Sequence, residues 1–188
     1  MKLPSAIKGW LTPESHPDKL LQLYAKTNNS KYLTALVDKY NHTIFHYLLS
    51  QSERTLAEDV LQTTWLKVIH KKHLYKANNS AKYWLFSIAR NTLIDEFRKQ
   101  QRWIYQEMED HNLTTQTLIE QLKFEQQLDH FNALIDNLPF HQKEAFIFQQ
   151  EGFTLKEIAD LTDEEQETIK SRLRYAKKYI RTHLETNR

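Results

Sequence analysis

Only two glycines, Gly9 and Gly152, occur in 188 residues. Glycine supplies the left-handed turns and close backbone approaches on which phosphate-cradling loops depend. No stretch of this chain can form a G-x-G-x-x-G or G-x-x-x-x-G-K turn, so enzymes built on nucleotide loops are poor candidates. Proline is nearly as sparse, with four residues, while Leu, Lys, Gln and Ile recur. Few chain breakers and repeated spacing near 3.6 residues predict an all-α chain.

The sequence contains no cysteine. Disulfides, thiolate nucleophiles, iron–sulfur clusters and Cys-ligated zinc are thereby excluded together. No apolar run approaches the roughly 18 residues that span a bilayer, and Met1 to Leu11 is too short and broken for a secretory core. The expectation is a cytoplasmic protein with no direct membrane insertion.

The net charge is +2, but it is unevenly spread. Residues 1–64 carry +1, 65–102 carry +7, 103–129 carry −5, 130–167 carry −7 and 168–188 carry +6. Two basic blocks separated by an acidic one suggest two places where phosphates are approached, since clustered cations displace condensed counterions. Solvated helix faces give the same pattern, so charge alone leaves both readings open.

The same blocks set the expected organisation: an N-terminal extension over 1–19, a helical domain over 20–102, a linker over 103–124 and a second helical domain over 125–188. Helical patterns run from Pro17 to Lys26, Lys31 to Gln51, Thr55 to Lys72 and Lys82 to Trp103. Between them lie Asn28-Asn29-Ser30, Gln51-Ser52-Glu53 and Asn78-Asn79-Ser80, whose short polar side chains favour turns. The second domain starts near Glu125, is interrupted at Leu138-Pro139, resumes over Phe140 to Glu151 and breaks at Gly152.

Thr154-Leu155-Lys156-Glu157 has the spacing of a capping box, which opens a short helix through Leu161. Thr162 to Gln166 makes the turn, although Thr162-x-x-Glu165 has capping-box spacing too. A long helix follows, on which Ile169, Leu173, Ala176, Ile180 and Leu184 share one narrow arc at 100° per residue. Lys170, Arg174, Lys177, Lys178 and Arg181 lie beside that arc, with Thr168 and Ser171 outermost and Arg172 on the other flank. A short helix, a tight turn and a longer helix with a basic outer face read as a helix-turn-helix. An ordinary αα-hairpin with a cationic face is the competing reading.

On the helix from Lys82, an apolar arc of Leu85, Ile88, Ala89, Leu93 and Phe97, with Phe86 at its edge, opposes Trp84, Ser87, Asn91, Asp95, Arg98 and Arg102. An indole aligned with an amide and guanidinium groups suits unpaired bases and their backbone. The same indole also suits a core. On the preceding helix, Thr55-Leu56-Ala57-Glu58 matches a capping box, and Ala57, Leu61, Trp65, Val68 and Ile69 form the expected core stripe. Asp59, Gln62, Thr63, Leu66 and His70 face the other way, and an exposed Leu there suits either a protein contact or an ordinary surface. His42 and His46 have ligand spacing but no intervening Glu and no evident third ligand, so neither a metal nor a catalytic site is expected.

Several of these strings occur together and in order: Ala57-Glu58-Asp59-Val60-Leu61-Gln62, then Trp84-Leu85-Phe86-Ser87-Ile88-Ala89-Arg90-Asn91-Thr92-Leu93-Ile94-Asp95-Glu96-Phe97-Arg98, then Leu138-Pro139, Glu157-Ile158-Ala159 and Thr168-Ile169-Lys170-Ser171-Arg172-Leu173. Over about residues 20–102 and 125–185 the chain resembles bacterial RNA polymerase sigma factors, and best the small two-domain extracytoplasmic-function group. The resemblance implies a promoter-specificity subunit, not an enzyme, with no cofactor. Its partners would be core RNA polymerase, promoter DNA and, in some members, an anti-sigma factor.

By that resemblance, Asp59, Gln62, Thr63 and Leu66 would bind polymerase, with Thr63 standing where a Glu is usual. Lys76, Asn78, Asn79, Ser80 and Lys82 would lie in the loop that captures the melted minus-ten element, with Ala81 where an aromatic is often found. Trp84, Asn91, Arg98 and Arg102 would open the strands or hold phosphates. Thr168, Lys170, Ser171, Arg172, Arg174 and Lys177 would engage the minus-thirty-five element. Asp163-Glu164-Glu165 replaces the family's usual Gly, apolar residue and Ser in the turn, which brings acidic groups close to that helix. Two other readings stand beside this one: a freestanding helix-turn-helix regulator that binds duplex DNA without polymerase, and a helical adaptor with incidental cations.

Overall fold

Helix α1 spans Pro17–Thr27 and starts with the proline, whose fixed φ and missing N–H suit a first helical position. The computed structural model describes residues 16–76, 80–107 and 125–185. Asn28 closes α1 in the left-handed conformation, its N–H bonded to the Tyr24 carbonyl, and the Asn29 side chain accepts the Lys31 N–H to open α2, Ser30–Gln51. After α3, Arg54–Lys71, a short 3-10 turn at Lys72–Leu74 leads towards α4, Ala81–Glu107. The chain resumes in α5, Glu125–Asp136, followed by α6, Phe140–Gln150, α7, Leu155–Thr162, and α8, Gln166–Glu185. All regular structure among the described residues is helical, as the sparse Gly and Pro predict.

The chain divides into two units, residues 1–97 and 98–188. In the first, α1 packs on α2 and α2 on α3. Leu21, Leu36, Ile44, Leu48, Val68, Leu85, Phe86 and Leu93 are fully buried there, each side chain contributing about 1.5–3 kcal/mol by leaving water. Tyr47 meets Phe86 with ring centroids 5.7 Å apart, and the Trp65 Nε1–H donates to Asn41 Oδ1 at 2.8 Å, joining α3 to α2.

Two expectations for α3 fail. The helix begins at Arg54 after an extended Glu53, because the Ala57 N–H already bonds the Glu53 carbonyl. Thr55 therefore lies inside the first turn and no side chain caps it, while Glu58 pairs with Arg54 at 2.8 Å. The buried stripe is Ala57, Val60, Thr64 and Val68, rotated so that Leu61, Trp65 and Ile69 are half-buried. Thr64 tolerates burial because its hydroxyl donates to the Val60 carbonyl at 2.7 Å.

In the second unit α8 is the hub, packing on α5, α6 and α7. Helix α6 ends in a Schellman motif: the Phe153 N–H reaches the Phe148 carbonyl, the Gly152 N–H reaches the Gln149 carbonyl, and Gly152 takes φ +81°. The Phe153 and Phe148 rings then meet edge to face at 5.5 Å, the apolar contact that usually accompanies this motif. Gly152 is thus required by its backbone conformation, as the break expected there implies.

Candidate nucleic-acid interface

The second unit places α7 and α8 as a helix-turn-helix. Thr154 forms the capping box expected of it: its Oγ1 accepts the Glu157 N–H at 3.2 Å, and the Glu157 carboxylate accepts the Thr154 N–H at 2.8 Å. The turn contains no glycine. Asp163 takes the left-handed conformation at φ 57°, which short polar side chains tolerate best after Gly, and the Glu164 N–H bonds back to the Ala159 carbonyl. Thr162 does not cap α8. It is the last residue of α7, is buried, and donates its hydroxyl to the Ile158 carbonyl at 2.8 Å.

Ile169, Leu173, Ala176 and Ile180 are buried, so the apolar arc seats α8. Leu184 does not continue that seat; at 39% exposure it lies in the last turn, beyond the core. With the arc inward, Lys170, Arg174, Lys177, Lys178 and Arg181 are exposed, while Thr168 and Ser171 are half-buried. Along this flank runs a groove of about 510 Å³, lined by Gln149, Leu155, Lys170, Arg174, Lys177 and Arg181 among others. Such a cationic trough fits a polyanion backbone.

Two of the acidic groups near this helix are internally answered. The Arg172 Nη2 sits 2.6 Å from Glu164 Oε1, with side chains 17% and 33% exposed, and Lys170 pairs with Glu167 one turn earlier. Arg172 is thus tied to the turn, whereas the sequence placed it among the residues that would engage the minus-thirty-five element. Tyr175, 53% exposed with the Arg174 guanidinium 5.2 Å from its ring centroid, stands on the open side of α8 and escapes a search for cations.

In the first unit, Ser80 caps α4 by accepting the Tyr83 N–H on its Oγ at 3.0 Å. Ala81 is fully buried and its N–H is answered by a distant side chain, Asp18 Oδ1, at 2.5 Å. Trp84 is half-buried, between the two roles open to it in the sequence, and lies edge-on to Tyr75 with centroids 5.6 Å apart. Lys76 and Asn91 are exposed, as is Arg98 where the second unit begins, while Lys82 is half-buried with its Nζ 5.8 Å from the Phe86 ring centroid. Asn78, Asn79 and the side chain of Arg102 lie outside the described residues. Lys67 links α3 to α4, 3.0 Å from Thr92 Oγ1 and 3.9 Å from Asp95.

Asp59, Gln62, Thr63 and Leu66 follow one another at i, i+3, i+4 and i+7 on α3 and share one face. Asp59, Gln62 and Leu66 are exposed, Leu66 at 51%, and Thr63 is half-buried. His42 and His46 bring their Nε2 atoms to 3.2 Å, but no group of three metal-binding side chains occurs among the described residues. No described helix is long and apolar enough to cross a membrane.

Comparison with known proteins gives this arrangement a family. Residues 36–103 match the family model for Sigma-70 region 2, and residues 129–180 that for Sigma-70, region 4. The chain is 27% identical over 162 residues to the ECF RNA polymerase sigma factor SigX of Bacillus subtilis (strain 168), covering 80% of this chain and 82% of that one. It is 32% identical over 129 residues to the ECF RNA polymerase sigma factor EcfG of Rhodopseudomonas palustris (strain TIE-1), covering 64% and 67%. Its fold is similar to that of the sigma factor RpoE from Bartonella quintana, solved with the anti-sigma factor NepR, at a TM-score of 0.69 and 24% identity over 84% of this chain and 99% of that one. The chain belongs to the extracytoplasmic-function group of the sigma-70 family of RNA polymerase sigma factors.

Proposed function

We propose that this chain binds core RNA polymerase and directs it to promoters, with its region 2 and region 4 stretches engaging different elements of the DNA. The observation that carries this reading is the pairing, in one chain, of a helix-turn-helix with a cationic outer face and a separate unit that exposes Leu66 beside Asp59 and Gln62. A freestanding regulator has use for the first feature only, and the matches to both sigma regions do not favour it.

In this reading Asp59, Gln62, Thr63 and Leu66 dock on polymerase. Lys76, the Asn78-Asn79-Ser80 loop, Lys82, Trp84, Asn91, Arg98 and Arg102 hold the melted strand. Thr168, Lys170, Ser171, Arg174 and Lys177 engage the upstream duplex, with Arg172 bracing the turn. Ser80 retains its O–H as a donor because only its oxygen is used in capping. No bond chemistry by the chain is required, because the polymerase supplies the synthesis. Duplex steps stack with about 1.4 kcal/mol each. Stacking an extruded base on an aromatic such as Trp84 returns about 1–3 kcal/mol, and phosphate contacts add a salt-dependent share.

The protein works in the cytoplasm, and an anti-sigma factor is a further proposed partner, as NepR is for the Bartonella relative. Run-off transcription by core polymerase with this chain over a promoter library tests the reading. Promoter-specific transcripts are expected, with Trp84→Ala impairing strand opening more than initial binding. Core enzyme that ignores the chain, while the chain alone binds specific duplex DNA, refutes it.

A further inference from the structure

Asp18 stands in the first turn of α1, ahead of both stretches that match the sigma regions. Its carboxylate is nonetheless bonded to residues 57 and 63 positions away. Oδ1 accepts the Ala81 N–H at 2.5 Å and the Tyr75 O–H at 3.4 Å, while Oδ2 lies 3.4 Å from Nδ1 of His16. Tyr75 closes the 3-10 turn and Ala81 opens α4, so one carboxylate joins the end of that turn to the start of α4.

A helix start is ordinarily capped by the residue just before it. Here Ser80 takes the Tyr83 N–H, which leaves the amide of the fully buried Ala81 beyond the reach of water. Asp18 answers that amide, and its charge lies at the N-terminal ends of α1 and α4 together, where both helix dipoles favour an anion. The contact continues outward, because the Tyr75 ring packs edge-on against Trp84 at 5.6 Å and 65°. Burial first, and the charge of Asp18 second, push the Tyr75 hydroxyl up to about 12, so it remains a proton donor throughout the physiological range.

We propose that Asp18 is a positioning residue for single-strand capture: by holding Tyr75 and Ala81 it fixes the setting of Trp84, and so sharpens base reading without touching DNA. This rests on the reading that Trp84 contacts the melted strand. Helix α1 then becomes part of the recognition apparatus, not a terminal appendage.

The test uses the full chain with core polymerase and a fluorescein-labelled single strand carrying the minus-ten element of a promoter that this holoenzyme selects, against single-base variants of it. Asp18→Ala is expected to reduce the preference for the selected strand about tenfold, the order of loss that follows from stranding a buried donor. Binding of the upstream duplex should be unchanged. Asp18→Asn, whose amide oxygen still accepts, should restore most of the preference.

Leu21→Ala is the comparison that separates positioning from mere anchoring, since it weakens the packing of buried Leu21 on the same helix and leaves the carboxylate in place. If Leu21→Ala lowers base preference as much as Asp18→Ala at a similar loss of Tm, or if Asp18→Ala leaves preference intact, the proposal is overturned. Should Asp18→Ala fail to fold, Tyr75→Phe removes one tethered donor while keeping the ring on Trp84. Base preference must fall in that variant too, or the proposal is overturned. Failure of the underlying reading looks different: Trp84→Ala and Lys76→Ala would then both leave single-strand binding untouched.

Discussion

The pair formed by Arg172 and Glu164 ties α8 to the turn that precedes it, and its contribution can be worked out from geometry. With Nη2 and Oε1 2.6 Å apart, the charge centres are separated by about 4 Å, which at an effective dielectric near 20 corresponds to roughly 4 kcal/mol of attraction. Partial desolvation of both groups offsets most of this, and the one-third exposure of Glu164 adds solvent screening. A net coupling of about 1–1.5 kcal/mol is expected, slightly above the usual range for surface pairs. A double-mutant cycle with Glu164→Gln and Arg172→Met measures it, read by native-state hydrogen exchange of α8 amides, which reports opening of this unit by itself. The same variants are then titrated with duplex DNA at several salt concentrations. If Arg172 is a brace, Arg172→Met lowers affinity without changing the slope of log K against log salt. Were Arg172 instead neutralising a phosphate, its replacement would reduce that slope by about 0.9. A coupling below about 0.3 kcal/mol together with such a fall in slope would refute the brace and return Arg172 to the DNA.

Lys170→Ala is expected to weaken upstream duplex binding and reduce the salt slope by about 1, whereas Glu167→Gln, which releases Lys170 from its internal pair, should raise affinity; an unchanged slope in the first variant contradicts the assignment. Leu66→Ala removes a side chain that is 51% exposed, so stability should stay within about 0.5 kcal/mol of the parent while affinity for core polymerase falls about tenfold, measured by competition against another sigma factor. Equal competition by the variant would sink that docking role. Tyr40 and Tyr75 are pushed from 10.0 to about 12, chiefly by burial and then by the charge of Asp18. The folded chain therefore keeps two protons that the unfolded chain releases, so this stability is complete below pH 10 and is lost as pH rises from 10 to 12. Absorbance at 295 nm and circular dichroism should show these phenols ionising together with loss of helix, and ionisation near 10 in the folded protein would contradict the burial argument.

Most of the helices could be read from the sequence because their signals are local. Thr154 and Glu157 sit three residues apart, Gly152 is adjacent to the helix it ends, and Leu138-Pro139 needs only the steric rule for residues before proline. The apolar arc of α8 is equally local, since Ile169, Leu173, Ala176 and Ile180 repeat at helical spacing and are all buried. Where two local signals compete, the pattern misleads: Thr55 and Thr162 both have capping spacing, yet Ala57 bonds Glu53 in one case and the Thr162 hydroxyl turns back into its own helix in the other. The α3 stripe departs from its periodicity for a related reason, because a buried Thr64 satisfied by its own backbone carries no apolar mark in the sequence.

Residue type and short spacing are enough to set the all-α class, the two separated cationic blocks and the order of motifs that carries the family. Packing of the folded chain settles which of those cations face outward and which residues distant in sequence meet. Arg172 and Lys170 look alike in a string of letters, but one pairs with Glu164 in the turn before its helix and the other with Glu167 one helical turn away at the surface. Asp18 and Ala81 carry no common pattern at all, because a carboxylate finds a buried amide only after α1 and α4 have packed.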